Sequence, residues 1–348
     1  MAIRSVLRGA VALGTGVVLA ACASSPGPTV ESSAPSASAS SAPGGNGTVF
    51  TWQSDASAGT VTINSHPVAQ DGSVGAGTKL LTGPADDTNF PSVLDGVGPI
   101  ALTGSFTDYW TTDVQVRQGE TLASEVAAPG WCGGEGLVYN VCVLIDAARI
   151  ARTSQLGGEA DAGNQPSDRT ITVSSLTDAS TVSELGPYPD LSFMLGTTTP
   201  GQVVIVTEPG WTVEGPGVPS TVRLLSVADG RTADIGQSPA SWAPVCALGT
   251  DSVLGYTYDA KGTTSTAAVV GPAKVAPISW PQEDSVVGCS ADGRFLYLQH
   301  IPQPPTEQEQ DTEPPNPQTG LDRVALADGS RTQALLLDPG VYAGPIGR

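Results

Sequence analysis

The stretch Val286-Val-Gly-Cys-Ser-Ala-Asp-Gly-Arg-Phe-Leu-Tyr297 decides the fold, because two apolar runs flank a Ser-Ala-Asp-Gly turn. An Asp-Gly pair supplies the positive φ angles that tight hairpin turns require, so this stretch predicts a β-hairpin. Pro244–Gly255 repeats the pattern, with its cysteine 43 residues earlier in the chain. Looser copies lie at residues 191–206, 130–140, 89–102 and 50–63. Recurrence at this spacing indicates a repeat architecture.

A second hairpin pattern follows several copies of the first. It is clearest in Leu225–Ile235, with its turn at Asp229-Gly230, and in Val324–Leu335, with its turn at Asp328-Gly329. Weaker copies lie at residues 116–122 and 175–182. Two hairpins in a unit of about 40 to 60 residues make a four-stranded antiparallel sheet, and about six such units predict a β-propeller. β-Sandwich domains are the alternative that the pattern leaves open.

The blade count depends on the ends of the repeat region. We expect six blades, with seven possible because the tail from Pro339 to Arg348 could pair with the first strand near Val49–Trp52. Only Cys142–Leu156 has helical character, and its β-branched residues Val143, Ile145 and Ile150 weaken that prediction.

The segment Ser290-Ala-Asp-Gly-Arg-Phe-Leu-Tyr297 resembles the inner hairpin of TolB-type and WD-repeat-like blades. In those blades a Ser-Pro-Asp-Gly turn joins the first two strands, and Ala291 replaces the proline here. The resemblance is close over this hairpin and loose over the rest of residues 48–348. It implies a propeller that binds other proteins in the cell envelope.

The composition agrees with a β fold. The 348 residues include 42 Gly and 29 Pro, which is too many turn formers for a helical bundle. An apolar content of 39% is too high for a disordered chain. The formal net charge of −19 argues against a nucleic-acid partner, because phosphate contacts require basic side chains.

The first 22 residues predict export. Arg4 and Arg8 precede an uncharged stretch from Gly9 to Val18, which is the layout of a signal peptide over residues 1–21. The following Leu19-Ala-Ala-Cys22 resembles the lipoprotein box of bacteria, in which the cysteine is acylated and becomes the first mature residue. We therefore expect lipid on Cys22 to anchor the chain to the outer face of the cell membrane. The alternatives are an ordinary signal peptide with a chance cysteine and an uncleaved membrane anchor.

Beyond Cys22 the chain divides into a tether and a domain. Residues 22–47 are rich in Ser, Ala, Pro and Gly and predict a disordered tether, and residues 48–348 carry the propeller repeats. Two polar insertions, at residues 157–169 and 303–320, interrupt the repeats. The second is acidic and proline-rich, so it could contact a basic or proline-recognising partner or simply remain solvated.

Four cysteines remain after Cys22, and they are Cys132, Cys142, Cys246 and Cys289. An even count in an exported domain predicts two disulfides, and sequence proximity favours Cys132–Cys142 and Cys246–Cys289. In a propeller, Cys246 and Cys289 occupy the same place in successive blades, so a bridge requires Cα atoms within about 7 Å. Neither His66 nor His300 has metal-ligand spacing to a cysteine, which argues against zinc.

The sequence contains few features that are typical of a catalytic site. Two histidines and no Gly-x-Ser-x-Gly elbow argue against a serine hydrolase. Carboxylates that could serve glycoside hydrolysis are Asp86, Asp87, Glu135, Asp190, Glu283 and Asp284. Oxygen ligands that could hold calcium, at a spacing that departs from the EF-hand, are Glu159, Asp161, Asn164 and Asp168. Tryptophans near strand ends, which suit either a recognition face or packing between blades, are Trp110, Trp131, Trp211, Trp242 and Trp280.

These patterns together predict an exported, lipid-anchored, acidic propeller without catalytic residues, cofactor or metal. We expect it to bind an unidentified envelope protein. A glycan-binding module or propeller-type glycoside hydrolase is one alternative, and a purely structural envelope protein is the other.

Overall fold

The structure is a computed structural model. It describes residues 45–55, 57–84, 89–107, 110–126, 142–155, 169–178, 180–208, 218–300, 319–338 and 341–348. Residues 1–44, which hold the predicted signal peptide, Cys22 and most of the tether, lie outside this part. Among the described residues, no helix has the length and apolar character needed to cross a membrane.

The described residues form 24 strands in six four-stranded sheets. Blade 1 contains β1 (Thr48–Asp55), β2 (Thr60–Pro67), β3 (Thr78–Pro84) and the final strand β24 (Val341–Gly347). Blade 2 contains β4 (Asn89–Val97), β5 (Ile100–Thr107), β6 (Trp110–Gln118) and β7 (Thr121–Val126). Blade 3 contains β8 (Cys142–Asp146), β9 (Arg149–Gln155), β10 (Arg169–Ser175) and β11 (Thr181–Tyr188).

The second half of the chain forms three further blades. Blade 4 contains β12 (Leu191–Gly196), β13 (Gln202–Thr207), β14 (Thr221–Ser226) and β15 (Thr232–Gln237). Blade 5 contains β16 (Trp242–Ala247), β17 (Val253–Tyr258), β18 (Thr264–Val270) and β19 (Ser279–Pro281). Blade 6 contains β20 (Asp284–Cys289), β21 (Phe295–His300), β22 (Thr319–Ala325) and β23 (Arg331–Leu337).

The sheets are arranged as a β-propeller. The first strands of the blades, β24, β4, β8, β12, β16 and β20, contact one another in this order, and β20 returns to β24. This closed ring confirms the propeller and the count of six, and it excludes the sandwich. The pairing of the tail with the first strand, which the sequence leaves open, does occur, because β24 aligns Gly347 with Thr48 and Tyr342 with Trp52. It completes blade 1 and adds no seventh blade.

Each first strand pairs irregularly with the second strand of its blade. A register shift of the β-bulge type interrupts this pairing in all six blades. The extra residue is Leu94 in β4, Val245 in β16 and Val287 in β20. Because a bulge bends the strand and re-aims a side chain, it turns these residues toward the propeller axis.

The hydrophobic core consists of six buried clusters, one in each seam between neighbouring blades. Strand alternation explains this arrangement. In β13, Val203 and Ile205 face blade 3, whereas Val204 and Val206 face blade 5. A strand that is buried on both faces is apolar at every position, which explains the uninterrupted Val-Val-Ile-Val run.

The propeller has two distinguishable ends. The turn end carries the turns between first and second strands and between third and fourth strands, and the link end carries the remaining connections. Neighbouring blades join turn to turn: the Ala291 N–H donates to Asn46 O, and the Ala276 N–H donates to Leu326 O. At Asp328 the carboxylate accepts the Ser330 N–H at 2.9 Å, and hydrogen bonding to Ser330 lowers the pKa of Asp328.

Two sequence predictions need correction. The helical character of Cys142–Leu156 is wrong, because β8 and β9 form a hairpin there and its β-branched residues lie in the strands. The hairpin at residues 50–63 exists, but it joins the second and third strands of its blade, since β24 supplies the first strand. Residues 130–140, another copy of the pattern, lie outside the described residues.

Candidate functional site

The propeller axis contains a cavity of about 220 Å³ near the turn end. All six first strands contribute to its wall, which includes the bulge residues Leu94, Val245 and Val287. The rest of the wall combines Met194 and aliphatic side chains such as Val143 with cysteine, glycine, serine and threonine residues. Two ionisable side chains, Asp95 and Arg348, also line it.

The Arg348 side chain follows β24 of blade 1, crosses the turn end of this cavity and contacts blades 2, 3 and 4. Its Nη2 lies 2.7 Å from Asp95 Oδ2 and donates to Leu144 O at 2.7 Å, and its Nη1 donates to Thr197 O at 2.8 Å. The same Asp95 oxygen accepts the Leu144 N–H at 2.7 Å. Both charged side chains are largely buried, with exposures of 13% for Arg348 and 15% for Asp95.

A glycine makes room for this arginine. A Cβ atom added at Gly196 would lie only 1.7 Å from the Arg348 guanidinium, so any larger residue would displace the side chain. The main chain of Arg348 adds two further contacts, because its N–H donates to Gly96 O and its carbonyl accepts the Gly98 N–H. We call this set of contacts, made by Arg348 with residues 95–98, 144 and 197, the arginine clasp.

The disulfide Cys246–Cys289 lies in the wall of the same cavity. Its Cα atoms are 6.1 Å apart, within the limit expected from sequence, and it joins the first strands of blades 5 and 6. This pairing is therefore confirmed. Cys142 in β8 also takes part in a disulfide. Its expected partner Cys132 lies outside the described residues, so the Cys132–Cys142 pairing stays a prediction.

His300 belongs to a charged network within blade 6. Its Nδ1 lies 2.7 Å from Asp284 Oδ1, and Arg331 Nη2 lies 2.8 Å from Asp284 Oδ2. Arg331 Nε also donates to Asp322 Oδ2 at 2.7 Å. Burial opposes the Arg331 charge, but hydrogen bonds to both aspartates outweigh burial and raise the pKa of Arg331. Asp284, a candidate acid from sequence, is buried and fully engaged in this network.

His66 is a buried histidine in β2. Its Nδ1–H donates to Gly75 O at 3.1 Å, so its Nε2 accepts the Thr51 hydroxyl at 2.9 Å. Burial lowers the pKa of His66, and the hydrogen bond to Gly75 offsets this only in part. The neutral ring therefore holds β2 to β1 and to the loop that follows it.

Few of the other sequence candidates converge on a site. Asp190 and Glu283 lie in separate links of the propeller. Trp242 and Trp280 are buried between blades, which confirms the packing interpretation for these two. The candidates that lie outside the described residues are Asp86, Asp87, Trp131, Glu135, Glu159, Asp161, Asn164, Asp168 and Trp211. Trp110 lies in β6, and its side chain is not among those described.

Sequence reasoning missed both charged residues of the axial cavity. Asp95 and Arg348 are 253 positions apart, and neither sits in a recognisable motif. The only signal is indirect: the sequence leaves open a pairing of the tail with the first strand, and this pairing carries Arg348 to the axis.

Comparisons with known proteins support the fold. No protein-family profile and no curated protein matches the chain. Among solved structures, TolB from Acinetobacter baumannii is similar, with a TM-score of 0.53 and 10% identity over 86% of this chain and 66% of that chain. The chain thus spans just under two thirds of the TolB chain. This likeness agrees with the six-bladed propeller and shows the fold alone.

Propellers in enzymes give weaker matches. The Pyrococcus horikoshii acylaminoacyl peptidase matches with a TM-score of 0.43 and 9% identity over 82% of this chain and 45% of that chain. An oligogalacturonate lyase in complex with manganese matches with a TM-score of 0.41 and 10% identity over 80% of this chain and 74% of that chain. These likenesses are too low to carry an argument about function.

Proposed function

We propose that this chain is an exported propeller, anchored through lipid on Cys22, that binds an envelope protein and catalyses no reaction. The observation that carries the non-catalytic part of the proposal is the arginine clasp. The two ionisable groups of the axial cavity neutralise each other, and the Arg348 guanidinium also donates to two main-chain carbonyls. A proton-transfer or nucleophilic site needs such groups available to a substrate. The cavity is therefore better suited to holding the ring together than to chemistry.

The disulfide supports an extracytoplasmic location. Disulfides persist in oxidising compartments and are rare in the cytosol. Cys246–Cys289 joins two blades, and the amino-terminal Leu19-Ala-Ala-Cys22 resembles a lipoprotein box. Export explains both features together.

The partner can be sought from each end of the propeller separately. Thr250, between β16 and β17, is exposed at the turn end, and Lys261, between β17 and β18, is exposed at the link end. A photo-crosslinking amino acid at either position, in the full-length chain on intact cells, should link one recurrent envelope protein from one end only. Because both positions flank the same strand, each serves as the control for the other. If neither position yields a recurrent crosslinked protein, the binding proposal is overturned.

The anchor has its own test. Replacing Cys22 by Ser should release the chain from membranes into the soluble fraction, because acylation requires the thiol. Replacing the nearby Ser24 by Ala is the matched control and should leave the chain in the membrane fraction. Unchanged membrane retention of the Cys22→Ser chain would contradict the lipid anchor.

Glycan binding is a second candidate, and one exposed aromatic residue favours it. Tyr258 at the end of β17 is 48% exposed, and Tyr256 holds its ring edge-on at a centroid distance of 5.3 Å. A fixed, exposed aromatic face is suited to contact with sugar rings. Retention of the chain on cell-wall polysaccharide, lost on Tyr258→Ala and kept on Tyr342→Ala, would favour this candidate over a protein partner.

A further inference from the structure

A second cavity, of about 170 Å³, lies in the seam between blades 1 and 2. Strands β3, β4, β5 and β6 form its wall, and its polar and proline side chains are Thr82, Pro84, Pro91, Thr103, Gln115 and Arg117. Thr82 and Pro84 are exposed, whereas Pro91 and Thr103 are buried. The cavity therefore opens to solvent beside β3 and extends inward to β5.

Arg117 is the only cation among the described residues that line this cavity. Its Nη2 donates to Gln115 Oε1 at 2.7 Å, and its Nη1 donates to Glu120 O at 3.4 Å. Its Nε is buried and has no hydrogen-bond partner among the residues that the structure describes. A buried donor without an acceptor costs free energy, so an acceptor that enters the cavity would gain from meeting it.

Four other arginines direct their Nε–H at a carboxylate, whereas Arg323 directs its Nε–H at the Thr332 hydroxyl. The Nε–H groups of Arg149, Arg223 and Arg331 donate to Asp146, Asp234 and Asp322 at 3.0, 2.9 and 2.7 Å. Arg294 Nε–H donates to Asp292 in the same way. The planar guanidinium fork matches a carboxylate in shape and charge. Arg117 differs from the first four in that its Nε meets no carboxylate in the described part of the chain.

We propose that this cavity binds a small molecule with one carboxylate and a short apolar body. The carboxylate accepts the Arg117 Nε–H, and the apolar body lies against Pro84, Pro91 and Leu81. A water molecule takes about 30 Å³ in the liquid, so the cavity has room for roughly five or six heavy atoms. One guanidinium matches one negative charge. A phosphate dianion would remain half neutralised in a chain whose formal net charge is −19.

Calorimetry on the full-length chain tests the site with butyrate, acetate and inorganic phosphate as probes. We expect one equivalent of butyrate to bind saturably, acetate to bind more weakly, and phosphate not to compete. Arg117→Gln should weaken butyrate binding at least tenfold. Arg223→Gln should leave it unchanged, because Arg223 also lies on a third strand but already donates to Asp234.

A second variant separates loss of binding from loss of folding. Thr82→Trp places a large side chain at the exposed mouth and keeps Arg117, so it should also abolish butyrate binding. Thermal unfolding of each variant checks that the propeller is intact. No saturable binding of either carboxylate, or equal butyrate affinity in the wild type and both cavity variants, would overturn the proposal. Saturable phosphate binding without butyrate binding would also overturn it.

Discussion

The ring of blades is held together differently in two places. Between blades 5 and 6, the disulfide Cys246–Cys289 joins two first strands that lie 43 residues apart in sequence. At blade 1, the last strand β24 pairs with β1, and the arginine clasp secures it with hydrogen bonds and one ion pair. The first connection is covalent and nearly local in sequence, whereas the second is non-covalent and joins the two ends of the propeller. The comparison shows that ring closure rests on non-covalent contacts, which are strand pairing, the arginine clasp and the apolar cluster between blades 6 and 1. The disulfide instead reinforces a seam that continuous chain already connects.

Removing the disulfide should have the largest effect on stability. A Cys246→Ala/Cys289→Ala chain loses a link that restricts the unfolded chain over 43 residues. For a loop of this size the loss of unfolded-state entropy predicts a destabilisation of about 4 kcal/mol. Urea unfolding of the full-length chain measures it as a lower midpoint with little change in the native fold.

The variant also sharpens the comparison of the two connections. Blades 5 and 6 share a buried apolar cluster and remain joined by the chain between β19 and β20. The variant should therefore keep a closed ring, with the β24–β1 pairing still protected from hydrogen exchange. Loss of that protection would show that the disulfide, and not the arginine clasp, maintains closure.

Opening the arginine clasp should have the next largest effect. Asp95→Ala leaves the Arg348 charge largely buried without its carboxylate and leaves the Leu144 N–H without an acceptor. Breaking a buried ion pair from one side costs roughly 3 kcal/mol. Hydrogen exchange should then increase first in β24 and β1. Asp234→Ala removes the exposed ion pair with Arg223 and is the matched control. Equal destabilisation by both variants would contradict a special role for the clasp.

The seam between blades 5 and 6 could be predicted from the sequence, because the patterns that determine it are local. The Cys246 and Cys289 hairpins share an apolar strand, a turn and a second strand, so their equivalence could be read directly. Asp-Gly turns and β-branched runs determine hairpins within a few residues. The blade count, the β24–β1 pairing and this disulfide were therefore all within reach of sequence reasoning.

The arginine clasp could not be predicted, because its parts come together only through the closed ring. Arg348 is 253 positions from Asp95 and 151 positions from Thr197. Nothing near Gly196 indicates that its missing side chain leaves space for a guanidinium. The seam cavity at Arg117 is similar, since it lies between strands of two blades. Sites between blades depend on packing, which hairpin patterns do not encode.

A smaller effect is expected where blade 6 contacts the loop after β2. The buried Tyr297 hydroxyl donates to Gly72 O at 2.8 Å and joins blade 6 to blade 1. Tyr297→Phe removes this bond and leaves the carbonyl without its partner, which should cost about 1 kcal/mol. The Tyr258 hydroxyl is exposed, so Tyr258→Phe should change the free energy of unfolding much less. Similar losses in the two variants would contradict a contribution of this contact to closure.

The smallest expected effect is a pH dependence of ring closure that arises from His66 in blade 1. Burial lowers the pKa of His66 below its usual value of 6.5, so the unfolded chain takes up a proton at a higher pH than the folded chain. Stability should therefore fall as the pH drops through about 6.5, and the loss should stop growing below the folded pKa. Urea midpoints of the wild type and of His66→Gln, measured from about pH 7.5 to about pH 5, isolate this contribution. Turn aspartates such as Asp328 do not interfere, because their pKa values are lowered from 3.8. Parallel curves for the two chains would show that the ring at blade 1 does not depend on a neutral His66.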